Sequence, residues 1–198
     1  MKKTIILSLV IALLTAPAFG FKQEDLDKLK ATNACEECDL TKANLRGVNL
    51  TGANLFNTDL TSSNLIGADL IEANLTSSNL TKANLYGADL TKANLYGADL
   101  TKADLRGVNL TGANLTNTDL TSSNLIGADL IEANLTSSNL TGANLYGANL
   151  SGANLSSAVL REANLDFANF TNAKLCNTVM PDGQRIFQDC SRDIGKDK

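Results

Sequence analysis

TKANLYGADLTKANLYGADLTKADLRGVNL, residues 81–110, is the stretch whose reading decides the fold. Leucine stands at 85, 90, 95, 100, 105 and 110, and the beat runs unbroken from Leu40 to Leu165; Phe170, Leu175 and Met180 keep it beyond. Two residues before each leucine sits a small side chain, as in Ala43, Val48, Ala53, Thr58 and Ser63, and the residue just before is nearly always Asn or Asp. Five residues rotate an α-helix by about 500°, or about 140° net, so helical leucines would spiral and line no single face. On a strand, side chains alternate with a period of two, and leucines at odd spacing would switch faces. The period suits a chain that makes one short side and one corner every five residues and winds as a solenoid. The leucine and the small residue two before it then point inward, and the other three point outward.

Glycines count the sides. Gly47, Gly67, Gly87, Gly107, Gly127 and Gly147 all lie two after a leucine and all are 20 apart. A coil of 20 stacks them in one column, which makes four sides, whereas a triangular coil of 15 would scatter them. The expected fold class is an all-β solenoid, a quadrilateral β-helix of about seven coils, in which each coil buries its core only against its neighbours. Residues 41–90 and 101–150 are almost identical, differing at Asn44/Asp104, Phe56/Thr116, Lys82/Gly142 and Asp89/Asn149. The offset of 60 is three whole coils, so the duplication returns every residue to its original side.

The units ANLYG at 83–87, ADLTK at 88–92 and ANLTN at 113–117 resemble those of the pentapeptide-repeat family, and the resemblance covers roughly residues 38–180. It implies a right-handed quadrilateral β-helix. It implies no common activity, since function resides in sites carried by a fold, although some members of the family act on DNA gyrase as acidic rods.

The flanks differ from the repeat. Residues 1–20 open with Lys2 and Lys3, continue with the apolar run Ile5–Leu14 and end in mostly small residues, which reads as a secretory signal peptide too short to span a bilayer. Cleavage after Ala18 fits the A-x-A pattern of Ala16 and Ala18, and cleavage after Gly20 is a second option. No membrane anchor is expected in the mature chain, whose compartment would be the periplasm, the extracellular space or, in a cyanobacterium, the thylakoid lumen. Removing Lys2 and Lys3 takes the net charge from −4 to −6, with no basic tract suited to nucleic acid. Residues 21–37 carry Phe21, Leu26 and Leu29 among Glu24, Asp25, Lys28 and Lys30, the pattern of a short N-terminal capping helix for an otherwise open solenoid end. The repeat proper covers 38–180. In 181–198, Pro181–Asp182–Gly183 turns the chain, and Ile186 and Phe187 are placed to cover the last coil as a C-terminal cap and tail.

Cys35 and Cys38 lie in one cap region and Cys176 and Cys190 in the other. In an exported chain an even count favours disulfides, and the local pairs are Cys35–Cys38 and Cys176–Cys190. At ~4.8 Å per coil the two groups lie ~30 Å apart, which excludes cross-pairing and a shared four-thiolate zinc site. Cys35-x-x-Cys38 is also readable as a redox pair.

The chemistry available is sparse. With no histidine in the chain there is no Ser-His-Asp triad and no histidine metal site. No phosphate-binding loop or dinucleotide fingerprint occurs. Asp39, Asp59, Asp99 and Asp119 recur at coil spacing and read as solvated repeat positions, because a convex rod offers no cleft for a carboxylate pair. No enzyme activity and no cofactor are expected. On the side centred on Leu45, Leu65 and Leu85, the residue after each leucine runs Arg46, Ile66, Tyr86, Arg106, Ile126, Tyr146, each followed by glycine. This is the candidate partner-binding stripe, since exposed Arg and Tyr are common at protein interfaces; it is equally the surface of an ordinary β ladder, in which Ile and Tyr are favoured. A second side carries Thr41, Thr61, Thr81, Thr101, Thr121 and Thr141, an array that suggests ice binding, against which stand Lys42, Lys82 and Lys102 beside it.

Three function classes remain. The first is a non-catalytic exported scaffold or interaction rod with a protein partner. The second is a DNA-mimicking topoisomerase inhibitor, which a signal peptide opposes. The third is an ice-related or cap-borne redox role.

Overall fold

The computed structural model describes residues 20–188 and 190; the signal-like segment lies outside the described residues apart from Gly20. From Ala34↔Asn54 to Val159↔Val179, parallel bridges join residues 20 apart at every fifth position, and each bridge is made by the residue just before a leucine or its equivalent. The four-sided coil read from the glycine column is the coil that these bridges build.

The unit centred on Leu85 shows why a stretch of only five residues holds its shape. Leu85 donates its N–H to the Asp104 carbonyl at 2.8 Å and Gly87 to the Arg106 carbonyl at 3.0 Å, both in the following coil. Asp89 donates back to Ala68 of the preceding coil at 2.9 Å, and Ala88 donates to the Leu85 carbonyl at 2.9 Å, closing a β-turn around Tyr86 and Gly87. The fifth amide, that of Tyr86, points outward and donates to the Asn84 side chain, Oδ1, at 3.1 Å. All five N–H groups are therefore paired, four by backbone and one by the Asn/Asp of the motif, as buried or half-buried backbone demands. The same Asx turn recurs along the rod, for example Thr101 to Asp99 at 2.8 Å and Thr61 to Asp59 at 2.9 Å. The Asp residues at 39, 59, 99 and 119, read from the sequence as solvated, are half-buried acceptors in these turns.

A positive φ is not confined to the glycine column. Lys42 (61°), Gly47 (62°), Gly52 (63°) and Asn57 (53°) take it on four successive corners, and Ser, Glu and Lys take it repeatedly farther on. These are type II turns with the left-handed residue in the second central place. A Cβ added at Gly87 would meet nothing within 4 Å, so glycine there relieves backbone strain and not crowding.

Inside, Leu40 to Leu160 are 0–2 % exposed, and the small residue two before each leucine is also buried, apart from the partly buried Val48. Where that residue bears a hydroxyl, most are spent on backbone: Ser78 donates to Leu75 at 2.7 Å and Thr118 to Leu95 at 2.9 Å, while the buried Ser63 hydroxyl meets no partner among the described residues. At the N-terminal end α1, Gln23–Thr32, lays Leu26 and Leu29 over the core. Asp25 accepts the Asp39 amide at 2.8 Å, an amide that no earlier coil could reach. The Cys35–Cys38 disulfide lies beneath, at 0 and 4 % exposure, closed to an incoming thiol; this weighs against the redox reading of that pair. At the other end β1, Leu175–Val179, pairs antiparallel with β2, Arg185–Gln188, and the Cys176–Cys190 disulfide ties them together. The hairpin spans only part of the last coil. Leu165 and Phe170 stay partly exposed, and the amides of Leu165, Phe167, Phe170 and Asn172 meet no backbone acceptor among the described residues.

Leu105→Ala should lower stability by ~2–5 kcal/mol, through lost transfer energy and the cavity left behind, while Thr101→Ala on the outer surface should change it little; thermal melts compare the two. Gly87→Ala should cost about 1–2 kcal/mol from φ alone. Lys82→Gly, which installs the residue found 60 positions later, should be close to neutral, because relief of strain is offset by a freer unfolded chain. Reducing Cys176–Cys190 should speed hydrogen exchange first at Leu155, Ser157, Leu160 and Glu162, whose acceptors lie in residues 174–181, and leave the central coils protected.

Candidate functional site

The solenoid register brings all six stripe residues into one column. Gly47 donates to the Ile66 carbonyl, Gly67 to Tyr86, Gly87 to Arg106, Gly107 to Ile126 and Gly127 to Tyr146, each at 2.9–3.0 Å. Each outward side chain is thus one rung, ~4.8 Å, from the next. Arg46, Tyr86, Arg106 and Tyr146 are exposed, and Ile66 and Ile126 are half-buried between neighbours.

Side chains along the stripe contact one another and their neighbours, and its two halves are unequal. The Arg106 guanidinium lies 5.4 Å from the centre of the Tyr86 ring, within cation–π range. It also grips Asp104 with two bonds, Nε to Oδ1 at 2.8 Å and Nη2 to Oδ2 at 2.7 Å. The hydrogen bond from Arg106, helped by its charge, holds the Asp104 carboxyl below the usual carboxylate range. In the first block the equivalent of Asp104 is Asn44, so Arg46 lacks the carboxylate that clamps Arg106. Tyr146 meets the edge of Phe167 with ring centres 5.2 Å apart and planes at 65°. Phe167 is 82 % exposed and holds a φ of 60° at the corner that is glycine in six earlier coils. It stands in the glycine column beside the stripe, whose own next position is Asp166. It was not singled out from the sequence, although its place 20 residues after Gly147 was a usable signal.

Elsewhere the surface offers little chemistry. The threonine column from Thr41 to Thr141 is half-buried, with Lys42, Lys82 and Lys102 exposed at the next position; charge interrupts it. A cavity of about 430 Å³ lies between α1 and the first coils, lined by Leu29, Lys30, Asn33, Val48 and Thr51 among others. Another of about 430 Å³ lies under the C-terminal hairpin beside Phe170, Lys174 and Gln188. Neither juxtaposes two carboxylates. Among the described residues no three His, Cys, Asp or Glu side chains gather as a metal site would require, and no helix is long and apolar enough to cross a membrane.

Known proteins share this architecture. The chain is similar in structure to a trypsin-treated variant of QnrB1, a plasmid-mediated fluoroquinolone resistance protein, at 23 % identity and a TM-score of 0.67 over 78 % of this chain and 80 % of that one. It is also similar to HetL, a pentapeptide-repeat protein involved in heterocyst differentiation regulation from the cyanobacterium Nostoc sp. strain PCC 7120. That match has 37 % identity over 77 % of this chain and 76 % of the other, with a TM-score of 0.28. Rfr23 from the cyanobacterium Cyanothece 51142 shares 28 % identity over 76 % and 92 % of the two chains, with a TM-score of 0.37. No functionally curated protein matches in sequence. The family pattern described as pentapeptide repeats matches in eight copies over residues 35–70, 68–107, 103–142 and 143–180. With its five-residue units, 20-residue coils and this match over most of its length, the chain belongs to the pentapeptide-repeat family, whose architecture is the right-handed quadrilateral β-helix.

Proposed function

We propose that the protein is a non-catalytic, exported interaction rod that docks a protein partner along the Arg46/Ile66/Tyr86/Arg106/Ile126/Tyr146 column. The observation that carries this reading is the continuity of that column. Six outward side chains stand in one line, the corner beside each is glycine, and the triplet Arg-Ile-Tyr occurs twice at three-coil spacing. A long or repeated partner meeting such a line gains modest contacts that add along its length, and needs no deep pocket. Tyr and Arg are the residue types that carry energy in such contacts. Export rests on the basic, apolar and small-residue succession of residues 1–20.

The likeness to QnrB1 supports the fold and is too distant, at 23 % identity, to transfer a task. A DNA-mimicking role is further opposed by Lys42, Lys82, Lys92 and Lys102, which stand exposed among the carboxylates.

Replacing Tyr86 and Tyr146 together with Ser should abolish or strongly weaken partner capture from the native exported fraction, with little change in melting temperature. Replacing Thr81 and Thr141 on the adjoining side should leave capture intact. An unaltered captured set after both double changes would reduce the stripe to plain β-ladder surface. Export predicts a secreted mature chain beginning at Phe19 or Phe21, which intact-mass measurement of the fractionated protein checks directly.

A further inference from the structure

Between Glu36, which accepts from Asn54, and Lys174, one side of the rod is chemically unlike the other three. It is centred on Leu55, Leu75, Leu95, Leu115, Leu135 and Leu155, and its units read ANLFN, ANLTS, ANLYG, ANLTN, ANLTS and ANLSS. None of these residues is charged over six coils. Every other side carries charge in the same span: Asp59 and Lys82 on one, Arg46 and Arg106 on the next, Asp69, Glu72 and Glu132 on the third.

The neutral side is also ordered. Thr76, Thr116 and Thr136 donate their hydroxyl hydrogens to Asn74, Asn114 and Asn134 at 2.6–2.7 Å. Asn74 donates to Asn54 at 3.2 Å and Asn114 to Asn94 at 3.0 Å, linking the amides from coil to coil. From this flat lattice two rings stand out, Phe56 at 38 % exposure and Tyr96 at 45 %. They occupy one column two coils apart, ~9.6 Å along the axis, with the smaller Thr76 between them. Asn117 donates to the Tyr96 hydroxyl at 3.2 Å and steadies that ring. The pair occurs once. Phe56 is Thr116 in the second block, and Tyr96 lies in the ten residues that separate the blocks. This side therefore departs from the duplication where the stripe repeats it.

A rigid neutral lattice of amides and hydroxyls, with two aligned rings, selects its ligand by charge. A polyanion would give up hydration and find no cation, and an isolated charge brought to such a surface is costly. The projecting rings break the flatness that an ice lattice requires. An uncharged sugar chain answers both features: its C–H faces stack on aromatic rings and its hydroxyls exchange hydrogen bonds with amides such as Asn57 and Asn74. The two-coil separation is close to the length of one disaccharide in an extended β-linked chain, which presents the same sugar face at each such step. We propose that this side binds an extended, uncharged β-linked polysaccharide, with sugar rings stacked on Phe56 and Tyr96.

The test uses the full chain with cellohexaose and chitohexaose in titration calorimetry, and with oligogalacturonate as the charged counterpart. The expected result is binding of at least one neutral hexasaccharide, none of oligogalacturonate, and at least a tenfold loss of affinity in each of Phe56→Thr and Tyr96→Thr. Phe56→Thr installs the residue of the second block, so its melting temperature should stay near that of the parent. Tyr86→Ser/Tyr146→Ser, on a different side, should bind the sugar unchanged, which keeps failure of this proposal separate from failure of the stripe. Absence of binding to both neutral sugars would overturn it. So would equal binding of oligogalacturonate, or binding that survives the double change at Phe56 and Tyr96. Loss of a protein partner with those changes, and no sugar binding, would make this side a protein interface instead.

Discussion

The structure depends on one recurring constraint, the satisfaction of the outward amide at each corner. Four of the five N–H groups in a unit find backbone acceptors in the same, preceding or following coil. The fifth faces away from every neighbouring strand. Its partner has to come from a side chain two residues earlier, short enough to fold back and polar enough to accept, and Asn and Asp meet both conditions. The chain therefore places one of them before nearly every leucine. Val159 is an exception within the repeat; it has no side-chain acceptor for the amide of Arg161, and it lies one coil from the end, where an imperfect turn disturbs the fewest neighbours. The leucines give the solenoid a reason to close, and the Asx turns make closing every five residues possible.

Much of this was legible from residue spacing. The period of five excluded helix and ordinary strand, and the glycine column counted the sides; within residues 21–37, read as a capping helix, α1 takes Gln23–Thr32. Other features were written in the sequence but required the backbone to interpret. Asn and Asp look like solvated surface until the unpaired amide two residues on is located. Lys42, Glu72 and Ser77 give no local sign of a left-handed conformation, because the turn is imposed by bridges to coils 20 residues away and propensity is overridden. The stripe could be placed in one column from spacing alone. The clamp of Arg106 on Asp104, the stacking on Tyr86 and the edge contact of Phe167 depend on side-chain directions, which spacing does not encode.

The interior and the surface obey different rules, and this separation explains the duplication. A buried leucine is held by leucines one coil above and below, so a block of whole coils can be copied without disturbing the core. Outward positions carry no such requirement beyond the Asx acceptor and a tolerable corner. All the differences between the blocks sit on outward side chains. Asn44/Asp104 clamps one arginine of the stripe, Phe56/Thr116 removes one ring of the neutral side, and Lys82/Gly142 removes a cation at a corner. Asp89/Asn149 exchanges a charged acceptor for a neutral one and keeps the turn. The core residues of the two blocks are identical. Divergence after duplication has therefore acted on the surfaces that could meet a ligand and left the scaffold alone.

A rod of this kind has a geometrical bias in what it can recognise. Its sides are flat or convex, its polar groups repeat at the rung spacing, and its corners are too tight to fold into a cleft. Asp104, whose carboxyl is held below the usual carboxylate range, is engaged by Arg106 and not by a second carboxylate. The same regularity supplies long, straight arrays of like groups. One side holds arginine, isoleucine and tyrosine in line, and another holds uncharged amides and hydroxyls with two aligned rings. A ligand that is itself extended and periodic can satisfy several rungs at once, and each further rung in register adds its contribution after the ligand is already held. A compact ligand can use only one or two. On the readings proposed above, an extended partner suits each of these sides, and the shared leucine core keeps one from disturbing the other.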